Sequence, residues 1–152
     1  MRAPQIFRVE ERGIFLNPKV FSLEEANRLI PNLDELTSRL LLKKQEMQKK
    51  HDQILILDLI AGENVHDQAS RDGKDYVSKS AELEGLILSF EDDILEINQL
   101  GCYLRDINKG SVDFFSIRNN QLVYLNWLRG EPEIRHYHDV DSHFTKRKPL
   151  ET

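Results

Sequence analysis

Two segments of this 152-residue chain carry apolar residues at alternating spacings of three and four, the pattern of a helix with one apolar seam. The first seam consists of Ala26, Leu29, Leu33, Leu36, Leu40, Met47, Ile54 and Leu57. The second consists of Tyr76, Ser80, Leu83, Ile87, Phe90, Ile94, Ile97, Gly101 and Leu104. Because a polar loop at 61–72 separates them, the pattern predicts a long antiparallel, coiled-coil-like two-helix hairpin over residues 22–108.

The first helix has a clear start signal and one internal irregularity. Ser22 and Glu25 form a capping-box pattern, in which each side chain accepts a hydrogen bond from the other residue's backbone amide. Pro31 lies inside the apolar pattern, where its missing N–H is expected to kink the helix. Lys43 interrupts the seam, and folding the hairpin brings it opposite the acidic residues near position 90, which predicts ion pairs between the helices.

The last third of the chain changes to the alternation of strands and predicts a small antiparallel β-meander. The middle strand is apolar on both faces, so we expect packing against each face. The predicted strands are Val112–Ile117, Gln121–Leu128 and Glu133–His138, and a further short hairpin is expected from Ile6–Val9 and Ile14–Leu16. The predicted fold class is α+β, in a single domain 1–152 made of an N-terminal extension 1–21, the helical hairpin 22–108, and the meander and tail 109–152.

Composition excludes several classes of protein. A single cysteine excludes a disulfide scaffold and any site that needs several thiolates from one chain. The longest uninterrupted apolar run has four residues, far fewer than the roughly 20 that cross a bilayer. The first residues lack the apolar core of a signal peptide, so we expect a cytoplasmic location. The net charge of −5 argues against nucleic-acid binding, because the phosphate backbone is also negative.

The end of the first helix predicts a contact surface. This stretch is apolar nearly all round, and a helix of that kind must be buried on more than one side. Since the roughly 45 residues of sheet cannot cover so long a hairpin, we expect a homodimer formed through it; a monomer whose hairpin folds over its own sheet is the alternative. The predicted interface residues are Ile54, Leu55, Ile56, Leu57, Leu59 and Ile60.

Segment 131–143 is the strongest candidate for chemistry, because three histidines and four carboxylates fall within 13 residues. His136 and His138 share one face of a strand, and Asp141 or Glu131 would complete a site for zinc, iron or manganese. The spacing matches no recognised metal motif, so a polar edge strand without metal is the competing interpretation. No cofactor is predicted beyond this candidate divalent transition metal.

Three further patterns are weaker. Trp127, Tyr124 and Tyr137 alternate with arginines, as in proteins that bind single strands, although alternating aromatics on strands usually belong to the core. Asp113 with Glu131 and Asp141 offers paired carboxylates for acid–base work, or separate caps of turns. Cys102 is expected to be a small buried hydrophobe.

The sequence resembles an uncharacterised bacterial family, domain-of-unknown-function family 2203, over about residues 19–150. Near the start the resemblance rests on Phe21–Asn27 followed by Leu29–Pro31. Its later part comprises Gly101, Asp106, Gly110, Val112–Phe114, Tyr124-Leu125, Trp127, Gly130-Glu131, His138, Asp141, Phe144, Arg147 and Pro149-Leu150. The resemblance implies a cytoplasmic bacterial protein with a helical front and a compact tail, and it carries over no functional residues.

These observations favour a self-associating interaction, scaffold or regulatory protein rather than an enzyme, with an unknown protein as its further partner and no membrane. The alternative is a metal-binding regulator or metal-dependent enzyme that uses segment 131–143. A nucleic-acid-binding accessory protein is the weaker alternative.

Overall fold

The computed structural model describes residues 19–150 and confirms the α+β class. The helices are α1 (Leu23–Arg28), α2 (Ile30–Ala61) and α3 (Arg71–Gln99), with a short 3₁₀ turn at Gly62–His66. The strands are β1 (Tyr103–Asp106), β2 (Ser111–Arg118), β3 (Gln121–Trp127), β4 (His136–Asp139) and β5 (Lys148–Pro149), with a 3₁₀ turn at Phe144–Lys146. The hairpin predicted at Ile6–Val9 and Ile14–Leu16, and most of the extension 1–21, lie outside the described residues.

The helical segment begins as predicted, but Pro31 interrupts it rather than only kinking it. The Ser22 hydroxyl accepts from the amide of Glu25 at 3.1 Å, and the Glu25 carboxylate accepts from the amide of Ser22 at 3.0 Å. Helix α1 then ends at Arg28, and α2 starts at Ile30 with Pro31 as its second residue. Proline has no N–H to donate to the carbonyl oxygen four residues earlier, so it breaks the hydrogen bonding inside a helix. In a first turn that hydrogen bond is not made and proline is tolerated, so a new helix starts where a kink was expected.

The second helical segment is shorter than predicted. Helix α3 ends at Gln99, Gly101 has φ +95°, and Tyr103–Asp106 form a strand instead of a further helical turn. A positive φ is readily available to glycine and typically terminates a helix. The apolar residue Leu104 fits the helical spacing and also pairs with Val112 in the sheet, which explains why periodicity placed it in the hairpin.

The five strands form an antiparallel meander in the order β1-β2-β3-β4-β5. Asn119 and Asn120 connect β2 to β3 with positive φ values of 53° and 62°, the backbone of a two-residue hairpin turn. Residues Val123–Trp127 are all buried, as expected for a strand covered on both faces, whereas Leu122 at the start of β3 is exposed. The sequence missed β1 and β5.

Contacts divide the chain into two compact units. The sheet unit comprises described residues 19–39 and 94–150, and the helical unit comprises residues 40–93. In the core of the sheet unit, the Phe21 ring packs edge-on against Phe114 with centroids 5.1 Å apart. The amide of Ile134 donates to Asn27 Oδ1 at 2.8 Å, which ties the loop before β4 to α1.

In the helical unit, the expected ion pairs between antiparallel helices are present. Lys43 Nζ lies 2.6 Å from Asp93 Oδ2, and Lys50 Nζ lies 2.5 Å from Glu82 Oε2. The loop predicted at 61–72 is not wholly exposed, because its Val65 is buried. Within residues 40–93, only Leu40, Val65, Gly73 and Asp93 are buried.

We predict that Gly73→Ala destabilises the helical unit. A Cβ at position 73 would lie 1.8 Å from the carbonyl oxygen of Asp67, so the turn must shift, at a cost of about 1–3 kcal/mol. Gly85→Ala in the same helix is the matched control: its Cβ would meet nothing within 4 Å, and alanine there should add about 0.5–1 kcal/mol. Thermal unfolding followed by far-ultraviolet circular dichroism checks both, and equal effects of the two variants would contradict the packing at Gly73.

Candidate functional site

Strand register collects the polar side chains of the sheet on one face. Asp113 of β2 lies opposite Asn126 of β3, which lies opposite His136 of β4. His138 is two residues further along β4, and side chains two residues apart in a strand point to the same face. The prediction that the two histidines share a face therefore holds, and Asp113 and Asn126 share it with them.

Asp113 is the centre of this face. Its carboxylate is almost completely buried and has three close polar neighbours on three other strands. Arg105 Nε donates to Oδ2 at 2.8 Å, Asn126 Nδ2 donates to Oδ1 at 2.8 Å, and His138 Nε2 lies 2.9 Å from Oδ1. A buried carboxylate needs this degree of compensation, because an unpaired charge in the interior is strongly destabilising.

The surroundings of His138 favour its protonated form. Its Nε2 faces the Asp113 carboxylate, and its Nδ1 lies 3.0 Å from the carbonyl oxygen of Asp139. Because both neighbours are acceptors, both ring nitrogens must carry protons to complete two hydrogen bonds. Burial alone lowers the pKa of His138, but the hydrogen bond and charge of Asp113 outweigh it and raise the pKa above its usual value.

A second cluster surrounds Glu131. Arg147 donates to both of its carboxylate oxygens, at 2.9 and 3.0 Å, and the amide of Leu128 donates to Oε1 at 2.8 Å. Burial raises the pKa of Glu131, but the bonds from Arg147 and Leu128 prevail, so the net pKa is below its usual range. Arg147 Nη1 also lies 3.3 Å from Asn126 Oδ1, which connects this cluster to that of Asp113.

Aromatic rings surround the Asp113 cluster. The guanidinium of Arg105 lies over the rings of Tyr103 and Tyr124, at 5.3 and 4.9 Å from their centroids. Tyr124 also stacks on Phe115 with centroids 4.5 Å apart, and burial raises the pKa of its hydroxyl. Tyr124 and Trp127 are buried, as the core interpretation of the aromatics predicts, whereas Tyr137 is only half-buried.

The structure brings together only some of the predicted metal ligands. Glu131 Oε2 lies 3.7 Å from His136 Nδ1, which has no hydrogen-bond partner within residues 19–150. Both nitrogens of His138 are engaged elsewhere, and Asp141 is exposed. Across the described part of the chain, no group of three or more histidine, cysteine and acidic side chains has an arrangement that could hold a metal ion.

The other chemical candidates have structural roles. Asp113 and Glu131 pair with separate arginines, at 2.8 and 2.9 Å, so they do not form a carboxylate pair that shares a proton. Burial raises the pKa of the Cys102 thiol to about 12, which leaves it protonated and unreactive.

The predicted interface residues all lie in the helical unit. Leu55, Ile56, Leu59 and Ile60 are exposed, at 48%, 53%, 74% and 79%, whereas Ile54 and Leu57 are half-buried. The exposed four form the surface that we call the apolar tip.

Sequence reasoning missed Arg105, Asn126 and Arg147 as members of the polar face. Asn126 stands among apolar residues of β3, as Asp113 does in β2, and a polar residue inside a buried strand indicates a polar partner. That signal predicts a hydrogen bond for each residue, but it does not identify the other group.

Residues 19–150 match the model of a family described as "Uncharacterized conserved protein (DUF2203)". The chain belongs to this family. Comparison of this member with the curated proteins and with the solved structures gave no match. None of the helices within residues 19–150 has the length and apolar character that crossing a membrane requires.

We predict that His138 makes stability depend on pH. Because its pKa is raised above 6.5 in the folded state, its stabilisation is fully present below about pH 6.5 and is lost as pH rises through the folded-state value. The free energy of unfolding should fall by at most about 1.4 kcal/mol per pH unit in that interval. Urea unfolding followed by the fluorescence of Trp127, the single tryptophan, checks this.

His138→Gln should remove this dependence, whereas His143→Gln, at an exposed position, should retain it. If the free energy of unfolding has the same pH dependence in the original protein and in His138→Gln, the imidazolium paired with Asp113 does not contribute to stability.

Proposed function

We propose that this protein is a self-associating interaction protein of the bacterial cytoplasm, and that the helical unit of one copy pairs with the helical unit of another. The observation that carries the proposal is the apolar tip, whose four residues are 48–79% exposed on consecutive turns of α2. Exposed apolar patches of this kind are typical of surfaces that bind other proteins.

The burial pattern of the helical unit supports a partner. Its two helices contact each other along one seam, and only four of residues 40–93 are buried, one of them Gly73 and another Asp93. Helices of this kind obtain most of their stability from packing an apolar face, and one seam provides little of it. A second copy would cover the tip and convert two helices into four.

The charge distribution supports contact at the tip. Residues 40–93 contain twelve acidic and seven basic side chains and thus carry a net charge of −5. Two copies of this unit repel each other, but segment 54–61 contains one charged residue, Asp58. Contact through this segment therefore buries apolar surface at a low cost in desolvated charge.

We predict that the double substitution Leu59→Gln and Ile60→Gln weakens dimerisation by about a hundredfold or more. Burial of each side chain in the interface is worth about 1.5–3 kcal/mol, and both are largely exposed in the single chain, so folding should be unaffected. Sedimentation equilibrium over a range of concentrations measures the change. The matched control replaces Leu122 and Val140, two exposed apolar residues of the sheet unit, by glutamine and should leave the dissociation constant unchanged.

The salt dependence of association tests independently whether the partner is a second copy of this chain. Association of two copies that each carry −5 in this unit should strengthen as salt screens the repulsion, whereas association with a basic partner should weaken. A monomeric mass at every concentration, in low and high salt, would overturn the proposal.

Divalent metal binding is the second candidate, and one observation favours it. His136 Nδ1 is buried, has no hydrogen-bond partner within residues 19–150, and lies 3.7 Å from the Glu131 carboxylate, so the two groups offer a nitrogen and an oxygen ligand. Elemental analysis after incubation with zinc, manganese or iron(II) and desalting tests this candidate, and retained metal supports it. His136→Gln should abolish retention and His143→Gln should not; absence of metal from the original protein ends this candidate.

A further inference from the structure

The sheet unit contains a pocket of about 450 Å³ between the chain around the start of α1, the end of β2 and Leu125 within β3. Its walls are mainly apolar and include Val20, Phe21, Leu23, Ile117 and Leu125. Phe21 and Leu125 are buried in its floor, whereas Val20 and Ile117 are exposed. The volume lies within the range of roughly 300–1,000 Å³ typical of small-molecule sites.

Hydrogen bonds fix the floor of this pocket. The amide of Phe21 donates to the carbonyl oxygen of Phe115 at 2.7 Å, and the Ser116 hydroxyl donates to the carbonyl oxygen of Phe21 at 2.7 Å. The amide of Phe21 is thus satisfied by Phe115, and its carbonyl oxygen by the hydroxyl of Ser116. A ligand above them would meet mainly apolar side chains on a floor that exists before it binds.

Arg118 is the one charged residue in the described lining. Its guanidinium lies 4.7 Å from the centroid of the Tyr137 ring, and Nη2 lies 3.4 Å from the carbonyl oxygen of Leu150. Unlike Arg105 and Arg147, it has no carboxylate within 4.0 Å among residues 19–150. It therefore has donors and a positive charge available to a ligand.

We propose that this pocket binds a small carboxylate with an apolar body. The carboxylate pairs with the Arg118 guanidinium, whose planar set of donors matches two carboxylate oxygens, and the body packs over Phe21 and Leu125. Among residues 19–150 the lining contains no acidic residue that would repel the carboxylate. A cationic ligand of the same shape is rejected because its charge would face the guanidinium. This inference is independent of self-association.

Octanoate is the probe for this site, and octylammonium, with the same alkyl chain and the opposite charge, is its matched control. Isothermal titration calorimetry should give saturable binding of one octanoate per chain and no measurable binding of octylammonium. Arg118→Gln should weaken octanoate binding by about 10- to 100-fold, the usual effect of a lost hydrogen bond to a charged group. Arg135→Gln, at an exposed arginine that pairs with Glu133, should leave it unchanged.

A second variant keeps Arg118 and fills the pocket. Leu23→Trp places a larger ring at a wall position that is 41% exposed, and it should abolish octanoate binding without changing the melting temperature. The proposal is overturned if octanoate fails to bind the original protein, or binds Arg118→Gln and Leu23→Trp as tightly as the original.

Discussion

The carboxylate of Asp113 is the group on which the sheet depends. It is charged and almost completely buried, and its partners Arg105, Asn126 and His138 belong to three other strands. Removing one member of such a network leaves a buried charge without its partner, which typically costs about 3–5 kcal/mol. The register of four strands is therefore fixed by the polar contacts of Asp113 as well as by the backbone hydrogen bonds. A slip of one residue would turn Asp113 to the opposite face.

The helical unit is held together by different means. Its seam combines half-buried apolar residues with the ion pairs Lys43–Asp93 and Lys50–Glu82, which specify how the helices align but add little stability where they are exposed. The sheet unit has a continuous buried core, whereas this unit leaves the apolar tip uncovered. This difference is why we assign protein association to the helices and small-molecule binding to the sheet.

Several elements could be predicted because local chemistry alone determines them. The capping box at Ser22 and the long helices follow from side chains close together in the chain. Strand β1 could not be found in this way, because Leu104 continues the helical spacing and only its pairing with Val112 makes it part of the sheet. Strand β5 has two residues, too few to produce a period. At Pro31 the sequence predicted an interruption of the helix but not a break into two helices, because starting a new helix depends on packing.

The sequence by itself determined the fold class and the antiparallel pairing of the helices, because periodicity and charge distribution are properties of the chain. It also indicated that His136 and His138 share a face, which follows from the period of a strand. The exposure of Leu55, Ile56, Leu59 and Ile60 is visible only in the structure. Only the tertiary structure decided that His138 pairs with Asp113, and that Glu131 pairs with Arg147. These partners are 25 and 16 residues apart in the chain, and only strand register and the path of the loops bring them within hydrogen-bond distance.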